Sequence, residues 1–328
     1  MDPAVSSVLV GEVLPRVATI AVAIAGGVAF ANALVAFGVI RYIAALSKPL
    51  TGPANLPDEV GGAILTTAAS TTAGYGMLAE YRDSGLLDDR ATLVAVTINT
   101  FFGFVQHIFT FYAPVLIPIL GLRVGLLYVG TRAGISLAIT ATGVLAGAVL
   151  LSDRNINPDA MSEVDPEARA DGGDDARTAG EKLLDAGRGG LEKTREILPR
   201  LAVVYTLVVL GTTYYDLEAL TGGAADPLAA LTGLPSAAVP VIVVYAFDTT
   251  SGAVTLAPFV QDGTFTARTA VSAMLIGGIV SFTVSTFKRS IPFQYGIWGA
   301  EFGTKVIVVN TSLKVLWIAI ALVGLLAL

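Results

Sequence analysis

The chain has 328 residues, of which 54% are hydrophobic and only 14% carry a charge, whereas soluble globular proteins carry roughly 25% charged residues. The charges are gathered into a few places, so that residues 91–122 and 269–287 contain no Asp, Glu, Lys or Arg. This composition excludes an ordinary soluble domain, and the absence of cysteine excludes disulfides, thiolate metal sites and iron–sulfur clusters.

Several apolar segments approach the roughly 20 residues that a helix needs to cross the membrane. In the first half of the chain they predict a long helix, an interrupted Thr- and Gly-containing segment, a proline-kinked helix and a closing helix, at about 14–40, 60–82, 88–120 and 124–151. In the second half the same order is predicted at 198–215, 236–260, 266–298 and 302–327. The sequence therefore predicts an all-α, multi-pass protein of the cell (plasma) membrane.

The two halves are related by an internal repeat. Shifting the chain by 178 residues lays 56–150 over 234–328 without a gap, and it matches prolines, glycines and an arginine as well as apolar residues. Chance rarely matches those residue types together at one offset. We therefore predict two homologous membrane repeats, at 1–151 and 198–328, joined by a hydrophilic linker at 152–197. The linker is rich in Asp and Gly and nearly lacks aromatic residues, so it cannot bury a core.

The orientation of the repeats depends on the interrupted segments. If these segments cross the membrane fully, the copies are parallel; if they enter and return as re-entrant helices, the second copy is inverted. The loop after the first helix holds Arg41 and Lys48, whereas its counterpart holds Asp216, Glu218 and Asp226. Cytoplasmic loops are enriched in Lys and Arg, so this contrast favours inversion and a cytoplasmic linker.

Inverted repeats with broken helices are the usual build of secondary transporters, which bind substrate near the middle of the membrane. Interrupted turns leave backbone N–H and C=O groups free, which the membrane tolerates only against protein or water. A competing interpretation has the hydroxyls bonding carbonyls one turn back within ordinary helices. The predicted substrate-binding residues are Thr71, Thr72, Gly74, Tyr75, Asn99, Gln106, Thr249, Thr250, Ser251 and Gly252.

Two titratable residues are candidates for coupling to an ion. Asp248 is a carboxylate within an apolar segment, where it should be paired, protonated or bound to a cation; the alternative is a helix cap. His107 is the only histidine, and its alternative role is a structural hydrogen bond. The expected coupling ion is a proton or sodium.

Basic residues in the apolar segments leave further alternatives. Lys288 and Arg289 would either attract an anionic substrate or extend to a membrane surface. Arg132 and Lys314 lie within the closing helices, and burial there would suggest pairing with an acid such as Glu80 or Glu301.

No P-loop, HExxH or cysteine–histidine metal motif occurs in the sequence. We therefore expect no enzymatic activity, no cofactor, no metal site and no nucleic-acid partner. The expected partners are a small-molecule solute, a coupling ion and membrane lipid, and whether the chain forms a homo-oligomer is open.

The run from Thr72 to Tyr81, followed by Gly85, Arg90 and Asn99, resembles the archaeal nucleoside recognition, or Gate-domain, membrane proteins. The stretch from Tyr112 through Pro114 to Gly125 is similar as well. The resemblance covers most of both copies and implies an inverted-repeat carrier fold with re-entrant hairpins. That superfamily is similar to concentrative nucleoside transporters, to the membrane part of the ferrous-iron transporter and to spore maturation proteins.

The leading hypothesis is an ion-coupled secondary transporter of a small polar solute, bound mid-membrane between the repeats. Nucleosides and nucleobases are the first substrates to test. The competing hypotheses are a non-transporting scaffold or assembly factor of the spore-maturation type, and a lipid-handling protein. Because a fold does not determine chemistry, the resemblance leaves these alternatives open.

Overall fold

A computed structural model of the protein describes residues 3–37, 48–157, 160, 178–214, 227 and 230–327. These residues are almost entirely helical, and none of them belongs to a β-strand. The prediction of an all-α fold is therefore confirmed for the described part of the chain.

Two long helices run side by side at one edge of the molecule. The first is built from Pro3–Val8, a π-helical turn at Leu9–Val13, and Leu14–Ala36, which we call the N-terminal helix. Its partner, the central helix, spans Ala179–Tyr214. A Cβ added at Gly190 would lie 3.2 Å from the Ala29 Cβ, so small side chains allow this close approach. The second half of the predicted linker is thus helical and continuous with the next apolar segment.

Each interrupted segment forms a tight helical hairpin. The first hairpin consists of Asp58–Ala69 and Thr71–Asp83, and short turns at Lys48–Thr51 and Gly52–Ala54 precede it. The second hairpin consists of Ala238–Phe247 and Thr249–Gln261. A single extended residue separates the two arms in each case, Ser70 with φ −144° and ψ 109° and Asp248 with φ −152° and ψ 121°.

The side chain of that single residue caps the helix that follows. Ser70 Oγ accepts the Ala73 N–H at 3.3 Å, and Asp248 Oδ1 accepts the Ser251 N–H at 2.7 Å. Capping satisfies one of the backbone donors that a helix start leaves free. The interruption predicted from Thr, Ser and Gly is therefore a one-residue break rather than an open loop.

Both kinked helices contain a π-helical turn. The first kinked helix runs through Asp89–Ile98, Thr100–His107, the π turn Ile108–Leu116 and Ile117–Leu120, and Pro114 lies inside the π turn. The second kinked helix begins with Ala267–Ser285 and the π turn Thr286–Ser290, and continues into the helix that starts at Ile291. Proline lacks the N–H for a regular bond, and a wider turn accommodates that loss.

The two closing helices begin after glycines in the same unusual conformation. Gly121 has φ 80° and ψ 161°, and the first closing helix follows it as Leu122–Leu150. Helix Ile291–Ala327 is broken at Gly299, which has φ 72° and ψ 168°, so the second closing helix occupies 300–327. Positive φ favours glycine because other residues place a Cβ against the backbone. A short 3₁₀ turn, Asp153–Asn155, follows the first closing helix.

Four helices among the described residues are long and apolar enough to cross a membrane: Val5–Phe30, Asp89–Leu120, Leu122–Leu150 and Ile291–Ala327. Their outward faces carry large exposed apolar side chains such as Val22, Leu145 and Val323. Hydrocarbon chains solvate such side chains where water would not, which accords with the predicted membrane setting.

The buried apolar residues form two clusters. One cluster includes the second hairpin, Ala267–Ser285, the N-terminal helix and the central helix. The other includes the first hairpin, the start of the first kinked helix, and Trp298 and Phe302 from the opposite end of the chain. The first hairpin is therefore packed against residues of both predicted repeats.

Parts of the topological prediction lie outside the described residues. They include Arg41, Asp216, Glu218 and Asp226, whose charges indicated inversion, and linker residues 161–177. The ends of the first helices, 38–40 and 215, also lie outside, so the predicted boundaries and orientation of the repeats stay predictions.

Candidate functional site

A cavity of about 820 Å³ lies inside the helical bundle. Its lining includes Tyr75 from one buried cluster and Phe104 and Tyr112 from the other, so it lies where the clusters meet. The first hairpin, both kinked helices and both closing helices contribute side chains. The lining residues are Thr71, Tyr75, Asn99, Thr100, Gly103, Phe104, His107, Tyr112, Arg132, Ile135, Ser136, Ile139, Arg289, Ser290, Pro292, Phe293, Gln294, Asn310 and Lys314.

The closing helices present polar residues at equivalent positions. Arg132 and Ser136 line the cavity from the first, and Asn310 and Lys314 from the second. Each pair is four residues apart, which places both side chains on one helix face. The offset of 178 that relates the halves also relates Arg132 to Asn310 and Ser136 to Lys314. Each closing helix thus contributes one cation and one neutral polar group to the cavity wall.

Arg132 lies among tyrosines rather than beside an acid. Its guanidinium interacts with the hydroxyls of Tyr112, Tyr128 and Tyr245. The Tyr128 and Tyr245 hydroxyls hydrogen-bond to each other, which connects the first closing helix to the second hairpin. A tyrosine hydroxyl can both donate and accept, so it solvates the cation without neutralising it.

The suggested pairing of Arg132 or Lys314 with Glu80 or Glu301 does not occur. Glu301 Oε1 lies 3.4 Å from Lys305 Nζ on its own helix, and no ion pair of Glu80 occurs in the described part of the chain. The acids lie at the ends of helices near the surface, whereas Arg132 and Lys314 lie further along the closing helices. Of the two basic residues at the second kink, Arg289 lines the cavity.

The first hairpin places two predicted binding residues on the cavity. Thr71 and Tyr75 line it, and Thr71 Oγ1 donates to Gln106 Oε1 at 2.8 Å. Thr72 lies on the exposed face of the hairpin. Gly74 is buried against the opposite arm, where an added Cβ would lie 2.7 Å from the Thr67 N. Its role here is to let the arms close.

Asn99 and His107 bring the first kinked helix to the same cavity. Asn99 Nδ2 donates to Thr67 Oγ1 at 2.9 Å, and the buried Asn99 Oδ1 has no protein partner. His107 is exposed, and its Nδ1 lies 2.9 Å from the Gly103 carbonyl oxygen. The amides at 99 and 106, predicted to share one face, both bond threonines of the first hairpin.

The second hairpin does not reach the cavity with its predicted residues. Thr249, Thr250, Ser251 and Gly252 are absent from the described lining, and Thr250, Ser251 and Gly252 are buried within the packing. Asp248 is half-buried and caps Thr249–Gln261. The structure thus brings Thr71, Tyr75, Asn99 and His107 together and leaves the second set of turn residues apart from them. No predicted role is tested by this arrangement.

Sequence reasoning missed the tyrosine cluster around Arg132. Tyrosine in an apolar segment gives no distinctive signal, because most such rings are packed for their area alone. Ser136 was detectable, since the repeat offset aligns it with Lys314. Among the described residues, no group of three or more His, Asp or Glu side chains is placed to hold a metal ion.

The fold and the cavity define a helical protein with several helices suited to a membrane and a polar cavity between them. Uncharacterized protein MJ0880 of Methanocaldococcus jannaschii is 24% identical over 308 residues, covering 93% of this chain and 96% of the relative. From the same organism, uncharacterized protein MJ0871 is 23% identical over 299 residues, covering 90% and 88%. Uncharacterized protein MJ1556 is 23% identical over 291 residues, covering 88% of each.

No family model matches the chain, and no solved structure gives a significant match. The resemblance to Gate-domain proteins therefore stays a prediction. The relatives match nearly end to end, so both halves and the segment between them belong to one shared architecture.

Proposed function

We propose that the protein is a multi-pass secondary transporter of the cell membrane that binds a small polar solute in the 820 Å³ cavity. The observation that carries this proposal is the composition of the cavity wall. Repeat-equivalent positions of the two closing helices, Arg132 with Asn310 and Ser136 with Lys314, line one cavity. Secondary transporters place substrate near the midplane where two repeats meet.

The backbone supports the two-repeat part of the proposal. Gly85 and Gly263 have φ 81° and 83°, and Gly121 and Gly299 have φ 80° and 72°. Both pairs are separated by 178 residues. The one-residue breaks of the hairpins obey the same offset. Matching irregularities are better support than matching helices, because any two apolar segments can form helices.

Helix lengths support re-entrant hairpins and hence inversion. An arm of 12 or 13 residues spans about 18–20 Å at 1.5 Å per residue. This is shorter than the ~30 Å hydrocarbon layer. A hairpin whose arms pack against each other would therefore enter and leave on one side, which gives each copy three crossings and inverts the second.

The coupling part of the proposal assigns His107 and Asp248 to a proton or sodium ion. The sequence has no nucleotide-binding P-loop, so an ion gradient is the driving force that the proposal requires. His107 lies on the cavity, where a proton on the ring would be felt by the solute. Nucleosides and nucleobases are the first solutes to test because of the resemblance to the nucleoside recognition family.

The test is uptake of radiolabelled solutes by proteoliposomes under a sodium gradient or a pH gradient. We expect gradient-driven uptake of one chemical class, and at least tenfold lower uptake in Thr71→Val, which removes a lining hydroxyl. Thr206→Val is the matched control, because the Thr206 hydroxyl bonds the Ala202 carbonyl within its own helix.

Absence of uptake for every class, with no ligand raising the thermal unfolding midpoint, would contradict the transporter proposal and favour a scaffold. A ligand at 100 times its dissociation constant stabilises the folded state by about 2.7 kcal/mol. A shift of that size is measurable in detergent, so binding can be scored separately from transport.

A further inference from the structure

The cavity wall is cationic in the part of the chain that the structure describes. Arg132, Lys314 and Arg289 line it, and no carboxylate side chain is among the described lining residues. Lys314 lies close enough to Arg132 for the two positive charges to repel each other. Two like charges therefore share one wall of a cavity that closing helices build inside the bundle.

Such an arrangement needs a counter-charge. An ionised side chain within a membrane is stable when it pairs with an opposite charge or lies in a water-filled space. The described part of the chain gives Arg132 only tyrosine neighbours and gives Lys314 no carboxylate partner. Water can hydrate each cation, but it does not remove their mutual repulsion. A bound anion does both.

The rest of the wall indicates what the anion carries. Phe104, Phe293, Ile135 and Ile139 give the cavity a largely apolar lining. Its volume of about 820 Å³ falls within the 300–1,000 Å³ of typical small-molecule sites and is far larger than one inorganic ion requires. Asn310, four residues before Lys314, adds an amide whose buried Oδ1 has no protein partner, so it can help to orient a polar substituent.

We propose that the cavity binds an organic anion, with its charged group against Arg132 and Lys314 and its apolar body against the aromatic side of the wall. The proposal deepens the proposed transport function and rests on it for the statement that the ligand is a transported solute. The shared chemistry is an anionic group on an apolar body. Such a group belongs either to a soluble metabolite or to the headgroup of an acidic lipid.

The experiment compares ligands that share a body and differ in charge. Binding of benzoate and benzamide, and of uridine 5′-monophosphate and uridine, is measured with the purified full chain by thermal unfolding and titration calorimetry. We expect the charged member of at least one pair to bind at least about tenfold more tightly than its neutral counterpart, since ionic hydrogen bonds are roughly twice as strong as neutral ones. Equal affinity within both pairs would overturn the proposal.

Variants locate the binding to this wall. Lys314→Gln and Arg132→Gln each remove one charge while keeping a polar side chain of similar length, and we expect each to weaken anion binding at least about tenfold. Lys314→Arg keeps the charge and should retain most of the affinity. The control is Lys305→Gln, on the same helix, whose Nζ bonds Asp89 at 2.9 Å outside the cavity. Anion affinity that survives in Lys314→Gln and Arg132→Gln overturns the assignment.

A second arm distinguishes the sources of the anion. Retention of phosphatidylglycerol during purification from mixed vesicles is compared between the wild type and Lys314→Gln by mass spectrometry. Lipid that is retained by the wild type and lost in the variant supports an anion site with a lipid occupant, and contradicts solute transport. Soluble anions that bind without being transported likewise preserve the anion site and contradict transport. Gradient-driven uptake of a neutral solute that Lys314→Gln leaves unchanged supports transport and overturns the anion proposal.

Discussion

The two hairpins have the same backbone break but use the space beside it differently. In the first hairpin, Thr67 lies against Gly74 and accepts a hydrogen bond from Asn99 on the first kinked helix. At the equivalent positions, 178 residues later, Tyr245 lies between Gly252 and Gly277. A polar bond in one copy is replaced by a large ring in the other.

That exchange changes what each hairpin can reach. The Tyr245 ring fills the space that Gly277 leaves open, and its hydroxyl extends to Tyr128 on the closing helix of the other copy. The smaller Thr67 leaves Asn99 facing the cavity. The second hairpin is consequently a packed core element beside the arginine, whereas the first is a polar wall of the cavity. Local backbone is shared, but the side chains that surround it divide the roles.

The largest effect is expected for Gly252→Ala. An added Cβ would lie 2.5 Å from the Cα and Cβ of Tyr245, so the hairpin arms must separate and the tyrosine contact with Tyr128 must shift. Overpacking of this kind destabilises proteins by about 1–3 kcal/mol or more. The free energy of unfolding from titration with denaturing detergent measures the loss.

Gly278→Ala is the control for that change, because its nearest neighbour would be Tyr245 Cε1 at an ordinary 3.9 Å. Alanine is the better helix former by about 1 kcal/mol, so this variant should be as stable as the wild type or more so. Equal stability of Gly252→Ala and Gly278→Ala would show that the second hairpin is not tightly closed.

The next effect concerns the polar contact of the first hairpin. Thr67→Val removes the hydroxyl that accepts the Asn99 Nδ2 bond, and leaves a buried amide without that partner. An unsatisfied buried polar group costs about 1–3 kcal/mol, and the loss should appear as a lower thermal unfolding midpoint. Thr66→Val, whose hydroxyl bonds only the Gly62 carbonyl within its own helix, should change the midpoint far less. Similar losses for the two variants would argue against the Asn99 contact as a structural bond.

A smaller effect separates the two roles of Asp248. As a cap accepting the Ser251 N–H, it should lose about 0.5–2 kcal/mol of stability on Asp248→Ala and much less on Asp248→Asn, because asparagine caps as well as aspartate. Ser70→Ala in the first hairpin should lose a similar amount. Ion coupling adds a demand that capping does not, namely that Asp248→Asn abolishes gradient-driven uptake while the unfolding midpoint is retained. Normal uptake in Asp248→Asn would leave only the cap.

The smallest stability effect is expected for His107→Gln. His107 is exposed to the cavity and bonds a carbonyl within its own helix, so the free energy of unfolding should change by less than about 0.5 kcal/mol. Uptake driven by a pH gradient should fall if the ring carries the coupled proton, whereas uptake driven by sodium should not. A fall in both would point to solute contact rather than proton coupling.

Much of the fold could be predicted because it depends on local chemistry. Apolar length predicts helices, an interior proline predicts a bend, and a glycine at positive φ predicts a break; the structure has these features at Pro114, Gly121 and Gly299. The helical nature of the described chain and its four candidate membrane helices followed from composition alone. The repeat offset also made Arg132, Asn310 and Lys314 visible as related positions.

The composition of the cavity depended on tertiary contacts that no local pattern encodes. Thr71 and Thr249 are equivalent in sequence, yet only Thr71 lines the cavity, because the residues packed against each hairpin differ. The neighbours of Arg132 come from the first kinked helix, its own helix and the second hairpin, which are far apart along the chain. The sequence by itself determined where the chain is helical and where it breaks. Only packing between the halves decided which polar groups share one space, because side-chain volume, such as that of Tyr245 against Gly277, sets which faces can meet.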